Sequence, residues 1–289
     1  MSPPTMPSLT LYDISSPLIP RSYAPNPSKA RLALGFKQAT FRTEWVDIPD
    51  IERVRRSLDC AATRKLDDGS DFFTLPMLQD ADTGRVVGDS FDIAIHLDST
   101  FPLRPPLLPP PHSLKGRWRT YESPARDTLF FAPVTTNAES AHPALARFNL
   151  HVDTTFSANM ALYGQFLPLH PETAEGTKAL MCRRAHLESW DDLAIPEEAR
   201  RPLFEGAFKE AMGGLAELYG GREGEGGNGG RGGIWLEGEE PCYADLIVGG
   251  WLNMLSCLMP EEEWREFRGW FGGIFGRVHD QLQERFYVC

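Results

Sequence analysis

Basic charge is what this chain most clearly lacks. Of its 289 residues, 29 are Lys or Arg against 40 Asp or Glu, for a net charge of −11. Holding a phosphate backbone requires clustered cations, so the balance argues against nucleic acid as a partner. It leaves room for a local basic pocket, because a few cations can cluster within an acidic surface. Cysteine is also scarce: Cys60, Cys182, Cys242, Cys257 and Cys289 are widely spaced, odd in number and free of any CxxC pair or Cys/His ligand spacing. That spacing supports neither a disulfide framework nor a metal site, and it reads as a reducing, cytoplasmic compartment. No basic segment followed by an apolar stretch opens the chain, and no apolar run reaches about 18 residues. The sequence therefore predicts no signal peptide and no membrane span.

What is present is ordinary globular material, 42% hydrophobic and 24% charged, in a chain long enough for two modest domains with a core each. The segment Leu9-Thr10-Leu11-Tyr12-Asp13-Ile14 has strand propensity, and residues 29–37 place apolar side chains on one side of a helix. Residues 41–48 alternate as a second strand, and Asp50 opens a short helix to about Leu58. Phe72–Leu78 and Arg85–Val87 read as two strands around the turn at residues 80–84, and Ser90 starts a helix over 91–97. The order β-α-β-α-β-β-α is an α/β unit closed by a hairpin and a helix.

The composition then changes. Six of the twelve residues from Phe101 to His112 are proline, which ends the helix and predicts a stiff linker. Beyond it the periodicity is helical throughout, over 180–193, 203–219, 243–258 and 264–286. Residues 220–233 hold nine glycines in fourteen, a composition that predicts disorder. The boundaries expected are 9–100 for the α/β domain and 113–289 for an all-α domain.

Two short motifs carry chemistry. Leu75-Pro76 stands where the third strand begins. As a plain strand start it needs no explanation; as a cis proline it turns the backbone of Leu75 outward, where it can pair with a peptide. Downstream, Gly88-Asp89-Ser90 precedes a helix. Ser90 reads as an N-cap, and the helix mouth with its dipole also suits a carboxylate, while Asp89 can hold an ammonium group.

An x-Pro at a strand start, a hairpin, and an acidic-Ser pair at a helix start together resemble the glutathione site of glutathione transferases. Cys242-Tyr243-Ala244-Asp245, before the apolar run 246–255, resembles that family's Ser/Thr-x-x-Asp capping box, with a poorer sulfur acceptor at the first position. These motifs, with Arg183–Trp190 and Pro241–Asn253, are most similar to the fungal etherase-like class, related to bacterial β-aryl etherases. The resemblance implies a thioredoxin-like N-terminal domain followed by an all-helical one, glutathione as cosubstrate or cofactor, a hydrophobic small-molecule partner and a homodimer. It assigns tripeptide binding to Leu75, Pro76, Asp89 and Ser90.

In that class a Ser-Pro-Asn-Thr-Trp-Lys-like segment opens the first helix, and its serine should meet the glutathione sulfur. Here the segment reads Ala24-Pro25-Asn26-Pro27-Ser28-Lys29, so alanine replaces the serine and Ser28 the tryptophan. A helix dipole alone shifts a thiol by less than about one pKa unit, and a hydrogen bond to the thiolate is normally needed as well. Three substitutes are available. Asn26 has an amide donor, or else is a plain N-cap with Pro27 at the first helical position. Ser28 lies four residues past Ala24, on the same helical face, with its side chain leaning toward the N-terminus. Ser22 lies just outside the helix. Tyr121, Phe130 and Phe131 either line an acceptor pocket or pack in a core, and His186 is expected in a helix core. The leading function is a glutathione-dependent transferase or lyase acting on a hydrophobic, aromatic electrophile. A non-catalytic binding protein, or a biosynthetic isomerase or dehydratase on the same scaffold, is the alternative.

Overall fold

In the N-terminal half the chain runs β1 (Leu9–Ile14), α1 (Pro25–Phe36), β2 (Phe41–Val46), α2 (Ile51–Ser57), β3 (Arg64–Lys65), β4 (Asp71–Phe72), β5 (Met77–Asp80), β6 (Arg85–Val87) and α3 (Ser90–Thr100). This is a computed structural model, and it describes residues 7–66, 68–110, 112, 114, 116–125, 135–220 and 234–288. Phe130, Phe131 and residues 221–233 of the glycine-rich segment lie outside the described residues. β1 pairs parallel with β2, from Leu9 opposite Phe41 to Ile14 opposite Val46, and such a pair needs a crossover, here α1. On its other side β1 pairs antiparallel with β5, and β5 with β6, giving the sheet order β2-β1-β5-β6. This mixed sheet with its helices is a thioredoxin-like unit.

Three local expectations need correction. Phe72–Leu78 is not one strand: Phe72 belongs to the small β3–β4 hairpin, and the main sheet resumes only at Met77. Pro76 has no N–H to give a ladder, and the carbonyl of Thr74 is taken by the Arg55 guanidinium at 2.6 Å. The first helix starts at Pro25, four residues before the expected Lys29. Extended Ala24 is its N-cap, Pro25 fills the first helical position and Asn26 the second, so Asn26 is not the cap. The cap of α3 is Asp89 rather than Ser90.

The C-terminal half is helical: α4 (Thr136–Ala141), α5 (Pro143–Ser157), α6 (Ala174–Ala185), α7 (Glu197–Leu203), α8 (Lys209–Leu218), α9 (Tyr243–Leu258) and α10 (Glu261–Phe286). A π-helical turn over Phe204–Phe208 joins α7 to α8, and α10 is kinked at residues 270–273, where Phe271, Gly272 and Gly273 have positive φ. The helix expected over 180–193 ends at Ala185, because His186 adopts the left-handed conformation, φ 55°. His186 is exposed there, not in a helix core. Among the described residues no helix is long and apolar enough to cross a membrane.

The two halves share their main core, beside which the N-terminal half keeps a smaller cluster of Val46, Ile51, Cys60, Phe73, Leu75 and Met77. One cluster of buried apolar side chains runs from Leu9 and Leu11 through α1 to Trp251, Leu255 and Leu282. The reason is α1, which is covered on both sides: eleven of its residues are buried between the sheet and α9. Contact with α9 is closest at Gly250, where a Cβ would stand 2.5 Å from the Pro25 carbonyl oxygen. The proline-rich linker is docked too. The Asp98 carboxylate accepts the N–H groups of Leu107 and Leu108 at 2.8 and 2.9 Å and pairs with Lys37 at 2.6 Å. Leu107 is fully buried, and its carbonyl accepts from Tyr243 N–H at 2.8 Å.

The start of α9 depends on Asp245. Its buried carboxylate accepts from the N–H of Cys242 at 2.9 Å and of Leu236 at 3.0 Å. Asp245→Ala is expected to cost about 2–4 kcal/mol in urea unfolding, since two buried donors lose their acceptor at about 1–3 kcal/mol each. Burial raises the Asp245 carboxyl from 3.8 to about 7. A carboxyl whose folded pKa is raised contributes in full below its unfolded value and loses that contribution as pH rises through the folded one. The deficit of the variant should therefore be larger at pH 5 than at pH 8. Equal deficits would show that the group titrates normally.

Candidate functional site

Three chain segments converge beside the N-terminus of α1. One residue flanked by prolines matters first. Pro25 and Pro27 have no N–H, so Asn26 alone among the first three helical residues offers a backbone donor at the helix mouth. Its side chain is half-buried and makes no hydrogen bond among the described residues.

The second segment is Thr74-Leu75-Pro76, with a cis bond between Leu75 and Pro76. The third is Gly88-Asp89-Ser90 at the start of α3. Asp89 Oδ1 accepts from Phe91 N–H at 2.8 Å and Asp92 N–H at 3.3 Å. Burial, and after it the nearby charge of Asp92, pushes the Asp89 carboxyl up to about 6. Ser90 is buried beside it.

Arg55 clips the second segment to the third. It is 1% exposed, and its Nη1 donates to the carbonyls of Thr74 at 2.6 Å and Gly88 at 2.9 Å. A Cβ on Gly88 would stand 2.2 Å from Arg55 Nη2, so only glycine lets the backbone come this close. Nothing in the sequence marks Arg55, since an arginine in the last turn of a short helix reads as a surface charge.

Two cavities meet here. The first is narrow and runs between Asn26, the Thr74–Pro76 segment and the Gly88–Ser90 segment, closed on the far side by Asn149 and Asp153 of α5. Those two residues are held by α1 itself: Lys29 Nζ lies 2.7 Å from Asp153 Oδ1 and donates to Asn149 Oδ1 at 3.0 Å. The Trp251 indole donates to the same Asp153 oxygen at 2.7 Å. The second cavity, of about 140 Å³, is mainly apolar and is bordered by Ala24, Ile51, Met160, Met181 and Met254 among others. Asn26 and Thr74 border both.

Of the sequence-derived candidates, Asn26, Leu75, Pro76, Asp89 and Ser90 line the first cavity together. Ser22 and Ser28 border neither. Ser28 is fully buried and its hydroxyl accepts from Asn253 Nδ2 at 2.8 Å; Ser22 donates to Asp13 Oδ1 at 3.1 Å. The four-residue spacing from Ala24 to Ser28 misleads because Ala24, with ψ 142°, precedes the helix, so the two do not share a helical face. Ala24 does face the apolar cavity, and Tyr121 is buried with its hydroxyl on Thr155, at 2.8 Å, away from both. Thr74, Asn149 and Asp153 escaped the sequence reading, because only the fold brings them to the cleft.

Comparison with known proteins agrees with this architecture. The family models described as glutathione S-transferase N-terminal domain and C-terminal domain match residues 23–100 and 196–286. A glutathione S-transferase of Ceriporiopsis subvermispora, solved in complex with glutathione, superposes with a TM-score of 0.71 at 24% identity, over 98% of this chain and 99% of that one. Glutathione transferase GSTFuA3 from Phanerochaete chrysosporium gives 0.69 at 25% identity, over 99% and 100%, and GSTFuA2 from the same organism 0.71 at 24% identity, over 99% and 100%. No curated protein sequence matches the chain. The two family models take one half of the molecule each and between them cover more than half of its length, so the chain belongs to the glutathione S-transferase family.

Proposed function

We propose that the protein is a glutathione-dependent transferase or lyase of the fungal etherase-like class, acting on a hydrophobic, aromatic electrophile. The narrow cavity takes the tripeptide, with its γ-glutamyl carboxylate at the Ser90 helix mouth, its ammonium at Asp89 and its cysteinyl backbone against Leu75. The electrophile takes the apolar cavity. The observation that carries this reading is Asn26, an unengaged amide at a helix N-terminus and on the wall common to both cavities. A thiol bound between them faces that amide. One hydrogen bond to the thiolate, about 1.5–3 kcal/mol, lowers its pKa by roughly one to two units, and the helix dipole adds to this. The fungal structures at comparable TM-scores fit the assignment, one of them solved with glutathione.

The binding-protein alternative draws on one observation, the methyl group of Ala24 where the resemblance puts a serine. Titration of the bound thiol separates the two readings. Asn26→Ala should raise the pKa of enzyme-bound glutathione by about one unit or more and slow conjugation of a simple electrophile near neutral pH about tenfold. Ser22→Ala and Ser28→Ala should leave both unchanged. Thiolate absorbance in the ultraviolet, followed against pH, measures the pKa directly. An unchanged curve for Asn26→Ala would remove this residue from the site and favour the binding protein.

Asp89 makes the affinity pH-dependent. Its carboxyl, raised to about 6 by burial, must be ionised to hold an ammonium group, and the bound cation in turn pulls its pKa down. Glutathione affinity should therefore fall as pH drops from 7 to 5, with proton release on binding near pH 6. Asp89→Asn should bind more weakly and lose this dependence. Calorimetry in two buffers of different ionisation enthalpy counts the protons, and a count of zero at pH 6 speaks against the role.

A further inference from the structure

The apolar cavity has a one-sided charge. Among the described residues bordering it, the charged side chains are Arg64 and Arg184. Both are on the wall the cavity shares with a wider outer cleft of about 1140 Å³, between α2, the β3–β4 hairpin and α6. Arg56, Lys65 and Arg183 join them in that cleft. Three carboxylates share the cleft with these five cations: Glu52 accepts from Arg56 at 2.9 Å, Asp71 from Lys65 at 2.7 Å, and Asp68 from Ser70 N–H at 2.9 Å, so the cleft is net positive by two. A cationic cleft on a chain of net charge −11 is a local field that draws anions towards the cavity.

Arg184 is the better placed of the two. Its guanidinium lies 4.5 Å from the Phe72 ring centroid, and that of Arg64 lies 4.3 Å from the same ring. Nη2 of Arg184 donates to the Phe73 carbonyl at 3.2 Å, and among the described residues Arg184 makes no ion pair. Burial, and after it repulsion from Arg183 and Arg64, lowers its pKa to about 10. Two guanidiniums against one ring, at the edge of an apolar space, repel each other in a medium that screens poorly. An anion beside them removes that repulsion, and the planar fork of arginine fits a carboxylate in two-point fashion.

We propose that the ligand of this cavity is amphipathic: an aromatic body among Met160, Met181, Leu193 and Met254, carrying a carboxylate or similar anion that sits against Arg184 beside Arg64. The flexible thioethers suit apolar bodies of varied shape, so the anion rather than the ring fixes the orientation. The inference rests on the reading of this cavity as the electrophile site, and it narrows the substrate class to acidic aromatics.

Binding of 2-naphthoic acid and of its uncharged isostere 2-naphthamide, followed by fluorescence on the full chain without glutathione, tests it. The wild type should bind the acid roughly 10- to 100-fold more tightly than the amide. Arg184→Gln should abolish that preference and leave the amide affinity unchanged, which also shows the cavity intact. If Arg184→Gln does not fold, Arg64→Gln on the same wall must reduce the preference. Equal affinities for acid and amide in the wild type, or a preference that survives the substitution, overturn the proposal. A calorimetric titration with glutathione separates the two levels. If Arg184→Gln loses glutathione affinity and keeps the acid preference, the guanidinium serves the tripeptide's own carboxylate, which overturns this proposal and leaves the transferase reading standing. If the wild type prefers the acid but binds no glutathione, the transferase reading fails and the substrate claim with it, while the carboxylate site at Arg184 stands.

Discussion

A lysine with no exposed surface organises this molecule. Lys29, in the second turn of α1, can be buried only because Asp153 and Asn149 receive it, and Asp153 is itself held by the Trp251 indole. Burying an ion pair costs several kcal/mol per ion in lost hydration, which is recovered only when geometry and surrounding hydrogen bonds are complete. The arrangement therefore tolerates little displacement. It fixes the distance between the mouth of α1 and the wall of α5, and the narrow cavity is the space between them. With α1 held there, Gly250 lets α9 lie directly on Pro25, and the sheet and the helical half close over one interior.

A second buried cation sets the opposite wall. Arg55 has no carboxylate partner in its hydrogen bonds; it donates to the carbonyls of Thr74, Gly88 and Ala61 and to the Cys60 sulfur, while its Nε has no hydrogen-bond partner among the described residues. Carbonyls partner a guanidinium without neutralising it, so its charge continues to act on nearby groups. Burial is the larger influence on Arg55, lowering its pKa, and the neighbouring Cys60 and Asp89 oppose it. The arginine thus holds two loops in place while facing the carboxylate assigned to ligand binding. Positioning and electrostatics are joined in one side chain.

How much of this could be read from the sequence followed the range of the interaction concerned. Strands and helices whose patterns are local emerged with little error: β1, β6 and α9 fall where alternation or helical periodicity puts them. Leu75-Pro76 and Asp89-Ser90 stand out in the sequence because a proline and a helix start act through their own backbone neighbours. Errors arose from distant partners and from local backbone detail alike. Ser28 reads as a site residue until Asn253, 225 positions away, takes its hydroxyl. Asp89 displaces Ser90 as the cap, since a carboxylate reaches two N–H groups. His186 breaks an otherwise helical pattern by adopting a left-handed backbone that periodicity does not register. Arg55, Asn149 and Asp153 have no local signature at all.

The sharing of α1 between the sheet and α9 also bears on how such proteins diverge. Its eleven buried residues face two environments at once, so a change on either side is felt by both halves. The helical half cannot be exchanged between relatives as a module: a hybrid would have to bring α1 with α9, and the Lys29 partners on α5 as well, or leave a buried charge without its counter-ion. Exchange of segments between such chains should therefore be tolerated best outside that contact.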